Sequence, residues 1–317
     1  FKISFGVAII CWFPNLCFNL FKIQPNMPKR IAESELIINP DGSIYHLNLQ
    51  PHQIAHSIIV VGDPERVPKI TQYFDKIEHS VHKREFFTQT GTYNGKSISV
   101  VSTGIGTDNI DIVFNELDAL VNIDFDTRMV KEQLVSLEIV RIGTSGSVQA
   151  NIPVDSFVAS THGLGMDGLG GFYPHSISEN DQKILTLFSD ELAKDALGVT
   201  PYLADCNPEL LQKLGFDFHK GITITNTGFY GPQGRMLRLQ PKSTDFIDRL
   251  AQLNLDGNIV SNLEMETAAI YLLANLLGHK ALSLNAILAN RQTGQFSGDP
   301  KKAVDNLIKT VLKRWTA

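Results

Sequence analysis

Two stretches of this chain place an arginine beside glycines directly after an apolar run. The first is Gly62-Asp63-Pro64-Glu65-Arg66, behind Ile58-Ile59-Val60-Val61. The second is Arg141-Ile142-Gly143-Thr144-Ser145-Gly146, behind Leu137-Glu138-Ile139-Val140. Short apolar runs bounded by glycine turns read as buried parallel strands. Two strand ends then each present an arginine beside exposed backbone N–H groups. Glycine lets backbone approach an anion closely, and an arginine fork binds a tetrahedral oxyanion through two parallel hydrogen bonds. Thr144 adds a hydroxyl donor. The chemistry this suits is phosphate binding, without the GxxxxGK[ST] loop, which the chain lacks. Either stretch alone reads as well as an ordinary strand-to-loop turn; the two together favour an anion cradle.

A third stretch, Phe229-Tyr230-Gly231-Pro232-Gln233-Gly234-Arg235, combines an amide that donates and accepts with a guanidinium that only donates. Such an edge suits a flat heterocycle such as a pyrimidine, with Phe229 or Tyr230 stacking on the ring. The alternative is a solvated Gly-Pro loop. A fourth, Asn262-Leu263-Glu264-Met265-Glu266-Thr267, opens a long apolar segment. Glu264 and Glu266 are two apart and cannot share a helical face, but ahead of the first full turn both can enter one cleft. A carboxylate there could accept two O–H bonds from a vicinal diol such as that of a ribose. Acids in a first turn also simply suit the helix dipole. The apolar neighbours Leu263 and Met265 favour a half-buried carboxylate, which needs a reason to be there. His46 reads as a hydroxyl donor or a surface histidine, and Arg84 as a phosphate ligand or a charged strand edge. Arg291 follows a buried run, where α/β proteins place ligand residues.

These residues need elements to position them. A helix is predicted over 64–74, opened by proline. Strands are predicted over Phe86–Tyr93 and 97–102, turned at Asn94-Gly95. A helix follows over 108–121, with Ile110, Val113, Leu117 and Leu120 on one face. Strands over 154–160, 221–227 and 281–288 and helices over 181–196, 264–277 and 304–315 complete the alternation. The pattern predicts a single-domain α/β/α sandwich with a mixed central sheet over residues 27–317. Residues 122–133 and the glycine-rich 163–171 read as mobile insertions or loops without a catalytic cluster.

Composition sets the outer limits. The chain has 317 residues, 43% of them hydrophobic, and a formal net charge of −5. No general basic field exists, which argues against a nucleic-acid partner and makes any anion site local. Cys11, Cys17 and Cys206 show neither metal spacing nor a disulfide framework, so a reducing, cytoplasmic compartment is expected. Residues 3–21 are almost wholly apolar between Lys2 and Lys22, as in a signal sequence or short anchor. Pro14, Asn15 and Asn19 interrupt the run and no small-residue cleavage pattern follows it. Residues 1–26 are therefore read as an extension outside the working fold.

From about Ser43 onward the chain resembles the uridine phosphorylases of the nucleoside phosphorylase superfamily. The motifs that carry the resemblance occur in order: Tyr45-His46-Leu47, Gly62-Asp63-Pro64-Glu65-Arg66, Arg84-Glu85-Phe86, Ser102-Thr103-Gly104-Ile105-Gly106, Arg141 to Gly146, Phe229-Tyr230 with Gln233-Gly234-Arg235, Glu264-Met265-Glu266 and Asn290-Arg291. The resemblance implies that Gly62, Arg66, Arg141 and Thr144 bind phosphate, with Arg84 completing that site from a neighbouring subunit. It implies that His46, also from the neighbour, meets the ribose 5′-hydroxyl, and that Met265 and Glu266 hold the sugar. Gln233 and Arg235 would read the uracil edge, Phe229 would pack on the base and Arg291 would lie near its far side. Arg141, Glu266 and Arg235 are the residues expected to carry turnover. Glu85 matches a position associated with a monovalent cation such as K+. Inorganic phosphate is the co-substrate and no other cofactor is implied. A homo-oligomer is expected, a hexamer built of dimers with shared sites. Two motifs depart from the family pattern: Tyr230-Gly231-Pro232-Gln233 replaces Tyr-Pro-Gly-Gln, and Gly106-Thr107-Asp108-Asn109 replaces a Gly-Gly-Pro-Ser type sequence.

Phosphorolysis of an N-glycosidic bond needs positioned phosphate and stabilised charge on the departing base. It needs no nucleophilic side chain, and no Ser-His-Asp or Cys-His arrangement is visible. The alternatives are a purine nucleoside phosphorylase, a nucleosidase of the same superfamily, or a nucleoside-binding protein without turnover. The purine enzymes are expected to carry an aspartate after the late strand, where this chain has Asn290-Arg291. A nucleosidase would not need Arg66 and Arg141.

Overall fold

The computed structural model describes residues 29–195 and 197–317; the extension expected over 1–26 lies outside them. The run Ser57–Val61 forms β1, buried at every position. After it come α1 (Arg66–Thr71), β2 (Lys76–Lys83), β3 (Phe86–Tyr93), β4 (Lys96–Ser102) and α2 (Thr107–Asn122). A two-residue hairpin, β5 (Ile123–Asp124) and β6 (Met129–Val130), leads to β7 (Glu138–Ser147) and β8 (Phe157–Gly165). The chain continues through α3 (Glu179–Ala193), β9 (Tyr202–Asp205), α4 (Pro208–Leu214), β10 (His219–Thr225) and α5 (Phe246–Gln252). It closes with β11 (Asn254–Leu255), β12 (Asn258–Glu264), α6 (Thr267–Leu277), β13 (Lys280–Asn290), β14 (Gln295–Phe296) and α7 (Pro300–Trp315).

The expected α/β sandwich forms around one mixed sheet, ordered β11-β12-β10-β8-β13-β7-β1-β4-β3-β2. β12 also pairs with β7, so β7, β13, β8, β10 and β12 close into a ring. The joint is made by β7 itself. Its first half, Glu138 to Arg141, pairs with β1 in parallel. Its end pairs with β12 through Gly146 and Ser147, antiparallel. Between those pairings β1 and β12 diverge from β7, and a crevice opens at the carboxyl ends of β1 and β12. That is where open α/β sheets bind ligands. The apolar core is continuous from β1, β4 and β7 to α2, α6 and α7, and a second cluster lies under α3 and α5.

Several expectations are corrected. β7 does not stop at Arg141; it runs to Ser147 beside β13, so the arginine lies inside a strand. Gly143 permits this, because a Cβ there would fall 1.9 Å from Arg141 Nη1. The glycine-rich 163–171 is only partly a loop, since Gly163 and Gly165 belong to β8. A Cβ on Gly163 would sit 2.6 Å from Ala268 Cα in α6, and one on Gly165 would meet the Tyr202 ring at 2.1 Å. These glycines mark close packing. Residues 122–133 hold the small hairpin, and Arg128 from it is buried, donating to the carbonyls of Ile31, Ala32 and Leu36. The segment is a clamp on residues 31–36. The apolar helix starts at Thr267, because Glu264 ends β12.

The contact at Gly163 fixes α6 against the ring, and α6 carries Glu266 at its start. Gly163→Ala forces backbone apart, and overpacking of this kind costs about 1–3 kcal/mol. Urea unfolding should show that loss; an unchanged midpoint would contradict the close-packing account.

Candidate active site

The crevice is a cavity of about 320 Å³. Its walls include Gly62 and Arg66 from beyond β1, Arg141 and Thr144 from β7, Met265 and Glu266 from beyond β12, and Phe229, Gln233 and Arg235 from the loop after β10. A larger cavity of about 650 Å³ adjoins it at Arg235. That one is walled by Met166, Leu237, Leu239 and Phe246 among others, and contains no carboxylate and neither cradle arginine. The chemistry gathers in the smaller space.

At its floor lies a buried ion cluster. Arg141 Nη2 is 2.6 Å from Glu266 Oε2 and 3.0 Å from Glu264 Oε2, and Nη1 donates to Asn285 Oδ1 at 2.7 Å. Burial pulls the Arg141 guanidinium down, but the two carboxylates more than reverse that and raise it. Burial raises Glu266, opposed by Arg141 and assisted by Glu264. Arg66, held by donation to the Ile142 carbonyl at 3.1 Å, is lowered by burial and by the nearby charge of Arg141. Two arginines facing one space in this way invite an anion.

The two acids divide their work. Glu264 accepts the Thr225 hydroxyl at 2.6 Å and the backbone N–H groups of Glu266 and Thr267 at 2.9 and 3.0 Å. It caps α6, and the helix-dipole reading of this pair holds for it. Glu266, at the N-cap position, turns into the cavity. Its Oε1 accepts the Gly106 N–H at 2.9 Å, made possible by the left-handed φ of +101° at Gly106.

The loop after β10 forms a unit of its own. Arg235 Nη1 donates to Gln233 Oε1 at 2.6 Å and to the Phe229 carbonyl at 2.7 Å. Its guanidinium carbon stands 3.7 Å from the centre of the Phe229 ring. Burial and the neighbouring charge of Arg291 push Arg235 down to about 10. Gln233 is 2% exposed. Arg291 stands behind this loop, outside the cavity lining, and donates to the Gln233 carbonyl at 2.9 Å.

Three expected residues lie apart. His46 Nδ1 is 2.7 Å from Glu116 Oε1, and Glu116 also accepts the N–H groups of His46 and Leu47. Arg84 is exposed, in a left-handed conformation with φ 56°. Glu85 is half-buried, its carbonyl accepting the Ser102 hydroxyl at 2.5 Å. None of the three lines the cavity. Sequence reasoning missed Asn285, Thr225 and Glu116, and it named Gly106 within a motif without its contact to Glu266. The signal for Asn285 was present in Ala281-Leu282-Ser283-Leu284-Asn285, where polar residues alternate within a buried strand and so need partners.

The family described as the phosphorylase superfamily matches residues 57–314. The chain is 31% identical to the uridine phosphorylase of Thermococcus kodakarensis, across 91% of this chain and 94% of that protein. It is 28% identical to the uridine phosphorylase of Haemophilus influenzae, across 85% and 96%. Among solved structures it is similar to a nucleoside phosphorylase of Trypanosoma brucei described as showing uridine phosphorylase activity. That likeness has a TM-score of 0.81 and 30% identity, over 89% of this chain and 100% of the other.

Removing one partner of a buried ion pair leaves an uncompensated charge and costs about 3–5 kcal/mol. Arg141→Ala should therefore destabilise the fold by that order. In a double-mutant cycle, adding Glu264→Gln should cost less than it does alone. Purely additive losses in denaturant unfolding would contradict the cluster.

Proposed function

The chain belongs to the phosphorylase superfamily, and from that premise we propose that it cleaves a pyrimidine nucleoside with inorganic phosphate, uridine giving uracil and ribose 1-phosphate. One observation carries this reading: a single cavity holds an arginine cradle, a carboxylate at its side and an amide–guanidinium edge beside an aromatic ring. Phosphate sits against Gly62, Arg66, Arg141 and Thr144. Glu266 and Met265 hold the ribose, with Glu266 accepting its hydroxyls. Gln233 and Arg235 face the uracil edge and Phe229 its ring. A phosphate oxygen forms the bond to C1′ as the bond from C1′ to the base nitrogen breaks, and the electron pair of that bond passes into the uracil ring. Fixed N–H donors of Arg235 and Gln233 stabilise the charge that develops there.

Charge at the floor also bears on assembly. Arg66 and Arg141 balance Glu264 and Glu266 formally, so a phosphate dianion calls for another cation. Arg84 and His46 stand outside their own cavity, which suits donation to a neighbour's. The proposal therefore includes a homo-oligomer with shared sites, a hexamer built of dimers. Phosphate is its co-substrate, with no further cofactor. Among the described residues no group of three His, Cys, Asp or Glu side chains is placed to hold a metal ion, so a monovalent cation at Glu85 would draw on backbone oxygens or a second copy. A cytoplasmic setting, read from the cysteines, belongs to the same proposal. Among the described residues no helix is long and apolar enough to cross a membrane.

A purine reading is less favoured. After β13 no acid is available for a purine N7: the Asn290 amide donates to the carbonyls of Gln149 and Ile152, both at 2.9 Å, and Arg291 braces the base loop.

Incubation with uridine should release uracil only when phosphate is present, and faster than inosine is cleaved. Phosphate-independent release, or inosine as the better substrate, would overturn the reading. Hydrogen bonds to charged groups are worth about 1.5–3 kcal/mol, so Arg66→Ala should lower kcat/KM for phosphate at least ~tenfold. Mixed Arg84→Ala and Glu266→Ala subunits should regain activity through one intact shared site. No recovery after verified subunit exchange would contradict sharing.

A further inference from the structure

The cavity that holds the chemistry has a neighbour. A second hollow of about 400 Å³ opens between α1 and the start of α7. The two spaces share four wall residues, Asp63, Arg66, Thr144 and Leu288. Two of these, Arg66 and Thr144, belong to the phosphate cradle, so the cradle faces both spaces. The two approaches differ in character. The first presents Phe229, Met265 and Phe296; the second presents Lys69, Gln72 and Lys301.

The charge on the second approach is cationic. Arg66, Lys69 and Lys301 stand against Asp63 and Asp305. Asp305 is already paired with Lys309 Nζ at 2.7 Å and accepts the Tyr73 hydroxyl, and Asp63 Oδ1 accepts the Glu65 N–H at 2.9 Å. Both lysines are exposed. A cationic mouth on a chain of net charge −5 concentrates anions locally. A ribose seated on Glu266 would cover the cradle from the nucleoside side, while the hollow at Lys69 and Lys301 would stay open.

We infer that this hollow is a separate passage through which inorganic phosphate reaches and leaves the cradle while the nucleoside cavity is occupied. The inference rests on the phosphorolysis proposed above. Its consequence is that the two substrates do not compete for entry. A phosphate dianion is steered by the two lysines to Arg66 and Thr144, and uridine enters past Phe229.

Order of mixing tests this. Protein saturated with uridine is mixed rapidly with inorganic phosphate, and first-turnover uracil release is followed at increasing uridine concentrations. A separate passage predicts an onset rate that rises with phosphate and does not fall as uridine rises. A shared mouth predicts an onset that slows in proportion to uridine, and that result would overturn the inference. The double charge reversal Lys69→Glu with Lys301→Glu, at exposed positions, should slow the phosphate-dependent onset about tenfold. It should leave the uridine dissociation constant, measured calorimetrically without phosphate, unchanged. Equal onset rates in variant and unmodified protein would also overturn the passage. Absence of phosphate-dependent uracil release from the unmodified protein would instead overturn the activity on which the passage rests.

Discussion

A buried guanidinium that must be paired organises this molecule. Arg141 sits inside a strand at 5% exposure, where an unpaired charge would be untenable. Its partners come from separate elements: Glu264 from the end of β12, Glu266 from the start of α6 and Asn285 from β13. Glu266 extends the chain of contacts to α2 through the Gly106 N–H. Displacing any one of these elements strands a charge, so the strands and helices around the crevice are held in one register. The absence of a side chain at Gly143 follows from the same constraint, since the guanidinium occupies that space.

That constraint also pre-organises chemistry. An anion entering beside Arg66 meets donors already fixed by the fold. The carboxylate proposed to hold the sugar has its rotamer set by a backbone N–H and an arginine. Preformed donors of this kind stabilise developing charge without reorganisation at the moment of reaction. The half proposed to face the base is built differently. Gln233, Arg235 and Phe229 brace one another, and Arg291 braces them from behind. The charged floor belongs to the strand ring, whereas the Gln233–Arg235 edge belongs to a loop with its own bracing contacts.

Much of this was legible in the chain. The apolar runs before Gly62 and Arg141 stand out by composition and glycine boundaries, and the helix over Ile110, Val113, Leu117 and Leu120 by its periodicity. The cradle, the acidic pair and the Gln233–Arg235 edge could be picked out because their residue types have few structural uses together. Other features could not be read. β2 is exposed or half-buried along its whole length, so it lacks an apolar signature. Gly163 and Gly165 resembled loop glycines because the helix and ring they accommodate are remote in sequence. The extension of β7 past Arg141 depends on pairing with β13, a tertiary contact that no local pattern encodes. Glu264 and Glu266 read as a pair, but their division into a helix cap and a cavity-facing carboxylate follows from a helix that starts at Thr267 and not at Glu264.

The central claim is that phosphate, seated on Arg66 and Arg141, itself forms the new bond to the sugar. Phosphate labelled with oxygen-18 at every oxygen tests it directly. With uridine as partner, mass spectrometry should find ribose 1-phosphate retaining all the labelled oxygens, including the one bridging to the sugar. Free ribose carrying an oxygen from unlabelled water would contradict the account.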